Sequence, residues 1–312
     1  MRTPRARQRG FALIAVLLVM ALVGVLGAEF AYSMRLEASA VRAYKETLVA
    51  GHLAEAGVEQ AIREISGNAA YAALGDTRCD VTFFDQNRLP IKLLPRTKVP
   101  LGGGQFSYCL TDEEARINLN TAPSDRMDRL LQALGVEKQD RDIVMDSVQD
   151  WRDPNEVHRL NGAESEDTYL KLAVPYRSKN GNLDSVNELL QIKGVTPALF
   201  NGAEGKRGLV DVVTVKTPGQ VNINTAGREV MRALNISDAE FSEIEKSRRD
   251  IPYLSVPARF SGRGFSVTTR TYRVEAEGLV DGQVRARVTA IIQKRQDGGQ
   301  DSLAVLETSG VR

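Results

Sequence analysis

Residues 9–28 read RGFALIAVLLVMALVGVLGA, and this stretch decides the architecture of the chain. From Phe11 to Ala28 there are 18 residues without a charged side chain. As a helix they would be about 27 Å long, which is enough to cross the hydrocarbon core of a bilayer. Arginines at positions 2, 5, 7 and 9 precede the run and favour a cytoplasmic amino terminus. The sequence therefore predicts a transmembrane helix over residues 11–28.

Three interpretations of this run compete. A cleaved secretory signal has an apolar core of roughly 7–15 residues, whereas this run is longer and continues at helical spacing past Glu29. A permanent anchor explains the arginines but gives no role to the Arg9-Gly10-Phe11 junction. The third interpretation is a peptidase cut between Gly10 and Phe11, because glycine lets the scissile backbone approach an enzyme at the membrane face. Residues 1–10 would then be a leader, and the mature chain would stay in the membrane.

The helix is expected to continue beyond the membrane. Apolar residues recur at near-helical spacing between Leu36 and Ile65, with charged residues between them, and the pattern ends at Gly67-Asn68. Residues 11–66 would form one helix about 84 Å long. We expect its continuation, residues 29–66, to pack on a sheet.

Strand signals come in two blocks, in residues 67–120 and 251–312, separated by helical patterning over residues 121–250. In the first block the predicted strands are 81–84, 104–110 and 115–119, with Asp112-Glu113-Glu114 as a turn. In the second they run from 265 to 295 around the hairpin turn Asp281-Gly282, with 302–307 as a last strand. This order predicts an α+β fold. A long amino-terminal helix packs on a small antiparallel sheet, and a large all-helical domain is inserted in that sheet.

The body of the chain carries little net charge. The full sequence has 41 Lys and Arg against 40 Asp and Glu, and loss of the four leader arginines leaves a net charge of −3. Nonspecific nucleic-acid binding depends on a positive excess, so no nucleic-acid partner is expected. The sequence also offers no nucleophile next to a base, phosphate loop or histidine-rich metal set, and we do not expect an enzyme.

The helical region contains a near-repeat. Residues 116–122 read RINLNTA and residues 221–226 read VNINTA, and each precedes an amphipathic helix. Thr121 and Thr225 are expected to cap these helices. The phrase also opens helix-hairpin-helix DNA-binding modules, which use two glycines around an apolar residue, but Gly194-Val195-Thr196 lacks the second glycine. Helix packing is the favoured role of the repeats, and a DNA-binding competence-type pilin is the alternative.

Cys79 and Cys109 lie beyond the anchor, on the side opposite the leader arginines. If that side is the periplasm, which oxidises thiols, a disulfide is expected. Closing a loop of about thirty residues would stabilise the fold by roughly 3–4 kcal/mol in the chain-entropy model. Two buried free cysteines are the alternative.

The Arg9-Gly10-Phe11 junction before an apolar helix resembles the leader of type IV pilins and type II secretion pseudopilins. The arrangement as a whole is similar to the K-type minor pseudopilin family of the type II secretion system. Beyond the leader and the two repeats, the resemblance is carried by Asp150-Trp151-Arg152-Asp153, Gly162-Ala163-Glu164, Tyr169, Pro175-Tyr176-Arg177 and Ser185-x-x-Glu188-Leu189. It also includes Ala15, where most pilins have a glutamate.

The resemblance implies an inner-membrane prepilin. A prepilin peptidase would cut after Gly10 and methylate the amino group of Phe11, leaving a single-pass anchor and a periplasmic body. The resemblance also implies the tip of the pseudopilus, where I- and J-type minor pseudopilins and the major pseudopilin are partners in assembly for export of folded proteins. In most pilins the residue at the position of Ala15 is a glutamate, which pairs with a neighbouring subunit. Its absence here suits a subunit that docks beneath no other.

Calcium in the helical domain is a further implication of the resemblance. The candidate ligands are Asp150, Asp153, Asn155, Glu164 and Asp167. With Glu156 and Glu166 they make a dense group of carboxylates, which would repel one another unless a cation intervened. The alternative is a solvated acidic surface paired with Arg152 and Arg159.

Overall fold

The amino-terminal helix dominates the computed structural model, which describes residues 8–67, 71–74, 79, 81–203, 205–249, 251–297 and 300–311. Helix α1 spans Gln8–Ile65, about 87 Å at the rise of an α-helix. Residues 1–7 of the predicted leader lie outside the described residues. From Phe11 to Lys45 every side chain of α1 is exposed, and full burial begins at Ala50.

The main sheet is antiparallel, and its strands follow the order β11-β10-β9-β4-β3. Within the described ranges, the strands are β1 (Tyr71–Leu74), β2 (Val81–Phe84), β3 (Val99–Leu101), β4 (Gly104–Asp112), β5 (Ile117–Asn118), β6 (Val213–Thr214), β7 (Val221–Asn222), β8 (Phe265–Ser266), β9 (Thr271–Val280), β10 (Gln283–Asp297) and β11 (Gln300–Val311). Strands β1 and β2 form a separate antiparallel pair. The hairpin between β9 and β10 turns at Asp281 and Gly282, whose φ angles are 52° and 74°.

The carboxy-terminal half of α1 packs on one face of the main sheet. Small side chains of the helix lie at this contact, all 0% exposed: Ala50, Ala54 and Ala61. Because side chains alternate along β4, Phe106, Tyr108 and Leu110 point to the helix and are buried. The helix and the sheet approach closely at Gly278, where a Cβ atom would lie 1.8 Å from the carbonyl oxygen of Ala50. A side chain at this position would push the helix off the sheet.

The contacts between α1 and β4 show which end of the sheet is far from the anchor. Gly104, at the start of β4, faces Leu53 of α1. Tyr108 lies further along the strand and donates a hydrogen bond of 2.9 Å to Glu64, almost at the end of the helix. The end of β4 at Asp112 is therefore the membrane-distal end of the sheet.

The inserted domain leaves and re-enters the sheet at this distal end. The chain leaves after β4 and returns in β9, and Asp112 pairs with Tyr272 across these neighbouring strands. The helices of the insertion are α2 (Ser124–Ala133), α3 (Lys138–Arg152), α4 (Pro197–Asn201), α5 (Leu209–Val212), α6 (Arg228–Ala233) and α7 (Asp238–Arg248). They surround an apolar core of their own, which extends from Ile117 to Phe265. The predicted α+β fold is confirmed.

The insertion is not the all-helical domain that the sequence predicted. Residues 153–168 and 172–184 contain neither helix nor strand. Short parallel pairs, β5 with β6 and β7 with β8, lie inside the insertion, so residues 115–119 do not extend the main sheet as expected. The physical reason is a buried 3-10 turn at Glu113–Ala115, which directs the chain out of the sheet after Asp112. The main sheet likewise resumes at Thr271, not at residue 265.

Candidate functional site

The apolar half of α1 is the candidate membrane anchor. By length and composition, this helix contains a window apolar enough to cross a membrane, with a mean hydropathy of 2.9 and none of it buried. The predicted cleavage residues Gly10 and Phe11 lie in the first turn of α1. Phe11 is 76% exposed. An exposed apolar run of this length needs lipid or other helices around it.

Exposed apolar side chains continue on α1 beyond residue 28. They are Phe30, Tyr32, Met34, Leu36, Val41 and Tyr44, each more than half exposed. Charged residues such as Glu29, Arg35 and Glu37 alternate with them, so this segment is unsuited to the hydrocarbon core. The segment is suited to packing against further helices outside the lipid.

A disulfide joins Cys79 and Cys109, with a Cα–Cα distance of 4.9 Å. Cys109 lies in β4 on the face of the sheet that points away from α1. The amide of Leu110 also donates a hydrogen bond of 3.3 Å to the carbonyl of Cys79. Of the two alternatives for the cysteines, the structure has the bonded pair, which ties the segment before β2 to the middle of the sheet.

The acidic loop, residues 150–167, is organised by one arginine. Asp150 is 0% exposed and accepts hydrogen bonds from the amides of Arg159 and Ala163, each at 3.0 Å. The Arg159 guanidinium lies 2.7 Å from Asp150 and 2.6 Å from Asp153, and these two carboxylates raise the pKa of Arg159. Arg152, also considered as a partner, donates to the carbonyls of Leu119 and Asn120 instead. Two of the predicted calcium ligands therefore already share one guanidinium group within the chain.

Two further predicted ligands, Asn155 and Asp167, are also engaged in hydrogen bonds within the loop. The amide nitrogen of Asn155 donates to Asp153 at 2.6 Å, and Asp167 accepts from the backbone amide of Glu164 at 3.0 Å. Across the described ranges, no group of three or more His, Cys, Asp or Glu side chains is arranged to hold a metal ion.

Glu164 differs from the rest of the acidic loop, because it is 1% exposed and only half satisfied. Its Oε2 accepts from the hydroxyl of Ser178 at 2.7 Å, whereas Oε1 has no hydrogen-bond partner. The Oδ1 of Asn180 is also buried without a partner, and its amide nitrogen donates to Glu156 at 3.0 Å. Burial and the nearby charge of Asp150 raise the pKa of Glu164. Buried oxygens without donors in a negative field suit a cation.

One asparagine in each of the two repeated phrases makes an equivalent pair of hydrogen bonds to a remote segment. Asn120 holds both backbone groups of Leu183, donating to its carbonyl and accepting from its amide at 2.9 Å each. Asn224 holds Tyr253 in the same way, at 3.1 and 2.7 Å. Each asparagine thus attaches a distant irregular segment to the start of its own helix, a role that sequence reasoning missed.

The threonines of the repeats do not cap helices as predicted. Pro123 and Gly227 occupy the N-cap positions of α2 and α6, without a side-chain cap bond. Thr225 instead donates to Asp112 at 2.6 Å. The side chains of Asn120, Asn224 and Thr225 form hydrogen bonds within the protein. They are therefore not available for contacts with phosphate.

The segment around Gly194, which the DNA-binding alternative would use as a hairpin, is packed against the rest of the insertion. Residues 186–191 form a 3-10 helix, and a Cβ atom at Gly194 would lie 2.9 Å from Ile143 and 3.0 Å from Val144. This glycine is needed for close packing on α3 and for its φ of 88°, and its backbone faces protein.

A second acidic cluster lies at the domain junction, where the sequence predicted only a turn. Asp112 is 2% exposed, and its Oδ2 accepts from Asn222 at 2.9 Å, Thr225 at 2.6 Å and Thr269 at 2.5 Å. Its Oδ1 accepts from the amide of Glu114 at 2.8 Å. These donors come from the start of the insertion, from its second repeat and from the segment that returns to the sheet.

Glu113 is the charged centre of the junction. Its side chain is fully buried between two guanidinium groups, Arg273 of β9 at 2.9 Å and Arg116 of the insertion. Despite burial, Coulombic attraction to Arg116 and Arg273 holds the pKa of Glu113 below its usual value. The three consecutive acidic residues after a strand were the only sequence signal for this cluster, because its basic partner Arg273 is 160 positions away.

Comparison with known proteins identifies one family. The sequence profile described as Type II secretion system (T2SS), protein K, matches residues 110–204. The Type II secretion system protein K of Pseudomonas aeruginosa is 26% identical over 344 aligned positions, covering 98% of this chain and 97% of that protein. The protein of the same name from Pectobacterium carotovorum is 26% identical over 218 positions, which span 63% of this chain and 61% of that protein.

The fold comparison agrees. A chain in the crystal structure of the GspK-GspI-GspJ complex from enterotoxigenic Escherichia coli matches with a TM-score of 0.63 and 17% identity, covering 88% of this chain and 99% of that chain. An exposed apolar helix that packs on a small antiparallel sheet defines a pilin-like protein. The sequence relatives and the inserted domain make the comparison specific: over almost its whole length the chain is similar to type II secretion system protein K, and these findings support a minor pseudopilin of that system. They agree with the predicted family, and the DNA-binding alternative is not favoured.

Proposed function

We propose that this minor pseudopilin is the tip of the type II secretion pseudopilus, with its body in the periplasm, and that it starts assembly of the filament that exports folded proteins. The observation that carries the proposal is the attachment of the insertion at Asp112 and Thr271, the membrane-distal end of the sheet. A subunit stacked above this one would have to occupy the volume of the insertion. Growth would therefore be possible only from the membrane side.

The anchor sequence supports the same placement. Ala15 stands where most pilins carry a glutamate that pairs with the amine of a neighbouring subunit. A carboxylate in the hydrocarbon core is costly unless it is paired. A subunit with no earlier neighbour has no use for this residue.

Along α1 we propose contacts with I- and J-type minor pseudopilins and, below them, with the major pseudopilin. The exposed apolar residues between Phe30 and Tyr44 lie beyond the predicted span and are covered by no described part of this chain. The related solved structure is of a complex that contains GspI and GspJ. The ordinary filament contact of such proteins, helix against helix, would bury this segment.

Electron microscopy of labelled filaments tests the tip proposal. Val157, in the insertion, is 76% exposed, and a Val157→Cys variant offers a thiol for a gold label while the Cys79–Cys109 disulfide stays closed. We expect gold at one end of each pseudopilus. A filament of major pseudopilin with its own exposed cysteine is the control and should be labelled along its length. Label from this chain along the filament would refute the proposal.

We further propose that prepilin peptidase cuts after Gly10 and methylates Phe11. Support comes from the arginine-glycine-phenylalanine junction directly before the apolar helix. In a Gly10→Val variant the added side chain should block access to the scissile bond, and intact mass should show the uncut chain. The Ala12→Val control should be cut and methylated as usual. A normally processed Gly10→Val chain would contradict the cut site.

Calcium remains a proposal, and its supporting observation is the unsatisfied Oε1 of Glu164. We propose Glu164, Glu156 and Asn180 as the residues that would hold the ion, in place of Asp150 and Asp153, which share Arg159. When bound, calcium would satisfy the buried oxygens and neutralise the carboxylates around Glu164.

Calcium titration of the full-length chain in detergent tests this site. Added calcium should raise the melting temperature, and a chelator should reverse the increase. In Glu164→Gln the increase should be lost, whereas Glu166→Gln, at an exposed position of the same loop, should keep it. An unchanged melting temperature in the wild type, or an equal response of both variants, would leave the ligand set unsupported.

A further inference from the structure

We propose that Asp112 and Glu114 share one proton. We propose further that this proton stabilises both connections between the sheet domain and the insertion, the segment after β4 and the segment before β9. The pair would be a proton-dependent lock at the domain junction. The proposal rests on the hydrogen bonds of the junction and is independent of the place of the protein in a filament.

Asp112 holds the connection by which the chain leaves the sheet after β4. Four donors surround its carboxylate: the amide of Glu114 and the side chains of Asn222, Thr225 and Thr269. A carboxyl group with four donors around it is favoured in the ionised, acceptor-only form. Asp112 is therefore the partner that carries the negative charge.

Glu114 holds the connection by which the chain returns to the sheet at the start of β9. Its carboxyl oxygens accept from the backbone amides of Arg270, at 3.2 Å, and Thr271, at 2.9 Å, where the chain re-enters the main sheet. Glu114 is 3% exposed, and Asp112, two residues earlier in the chain, accepts a hydrogen bond of 2.8 Å from its backbone amide. Two buried carboxyl groups in one cluster cannot both ionise without a cation between them. One proton therefore belongs to the pair, and it lies on Glu114 because four donors already surround Asp112.

The electrostatic surroundings agree with a single shared proton. Burial and the charge of Asp112 raise the pKa of Glu114 to about 9, and burial also raises the pKa of Asp112. The phenol of Tyr272, on β9, is fully buried beside the pair and has a raised pKa, so it stays neutral. The neighbouring basic groups, Arg116 and Arg273, form ion pairs with Glu113. No described cation compensates a second negative charge at this pair.

The direction of the pH effect follows from these positions. The folded chain keeps a proton on Glu114 up to about pH 9, whereas the unfolded chain loses it near the usual value of 4.5. Between these values the folded state binds one more proton, so the pair makes unfolding easier as the pH rises. The unfolding constant should increase by up to about tenfold per pH unit from this pair alone. Above about pH 9 the second charge should loosen the junction.

The test compares full-length wild type with Glu114→Gln in detergent micelles. Glutamine keeps a neutral donor toward Asp112 at every pH, and fluorescence of Trp151, the sole tryptophan, follows unfolding of the insertion. Between about pH 6 and pH 8 the ratio of the wild-type to variant unfolding constants should rise by about a hundredfold. An unchanged ratio would overturn the proposal.

A neighbouring variant and a spectroscopic readout complete the test. Glu113→Gln removes a buried carboxylate that is held ionised, so it should destabilise the chain without removing the neutral-to-alkaline pH dependence. Infrared difference spectra of wild type should contain a protonated carboxyl band that disappears between about pH 8 and pH 10 and is absent from Glu114→Gln. If Glu114→Gln does not fold, the band is measured in Glu164→Gln, because Glu164 is a second buried carboxyl group with a raised pKa. Absence of the band would refute a shared proton.

Discussion

The chain has two acidic clusters, and they are built in opposite ways. The acidic loop at 150–167 is dense in carboxylates and partly solvated, and two of its carboxylates share Arg159. The junction at 112–114 has only three acidic residues, but all are buried, and each is bound to a segment far away in sequence. The density of carboxylates in the sequence therefore did not indicate where charge has the largest structural effect. Burial and long-range donors decide that.

The largest difference between the clusters should appear on removal of Glu113. This change leaves Arg273, 9% exposed, without its carboxylate partner, and removal of one member of a buried ion pair costs about 3–5 kcal/mol. Denaturant unfolding of Glu113→Ala in detergent should show this loss. A cost below about 1 kcal/mol would mean that the junction is no more important than the loop.

Removal of Asp150 should be the strongest change within the acidic loop. The variant Asp150→Ala leaves two backbone amides without acceptors, the buried one of Ala163 and the partly buried one of Arg159, at a cost of about 1–3 kcal/mol. Asp153→Ala removes the second carboxylate of Arg159 and the exposed hydrogen bonds from Asn155, and it is the matched control, with a smaller cost. If the two variants were equally destabilised, the distinction between backbone and side-chain partners would fail.

Acid should affect the junction through Glu113. Its pKa in the folded chain lies below the unfolded value of about 4.5, so its contribution is present above that pH and is lost as the pH falls through the folded pKa. Wild type should lose stability below about pH 5, and Glu113→Gln should lose less over the same range. Parallel stability curves for the two chains below that pH would contradict the ionised state of Glu113.

The smallest effect is expected at the edge of the loop. Glu166 and Arg177 form an ion pair at 3.2 Å, but their side chains are 71% and 63% exposed. Exposed pairs contribute little because water and salt screen them. Glu166→Ala should leave the denaturant midpoint unchanged, and a clear shift would show that the loop is more rigid than its exposure indicates.

Local patterns predicted the elements that depend on neighbouring residues. The apolar run, the spacing to Ile65 and the Asp281-Gly282 turn each follow from short-range physics, and helix α1 and the β9–β10 hairpin are where the sequence placed them. The exit of the chain at Glu113 was missed, because its partner Arg273 lies at the far end of the insertion. Thr225 was predicted to cap a helix for the same reason: its acceptor, Asp112, is remote in sequence.

Photocrosslinking in cells tests most directly whether the insertion occupies the free end of a filament. Benzoylphenylalanine would replace Leu160, 93% exposed in the insertion, or Tyr44, 68% exposed on α1 below the sheet. The account predicts crosslinks to other pseudopilins from position 44 and none from position 160. A crosslink from position 160 to the major pseudopilin would place a subunit above the insertion and contradict the tip assignment.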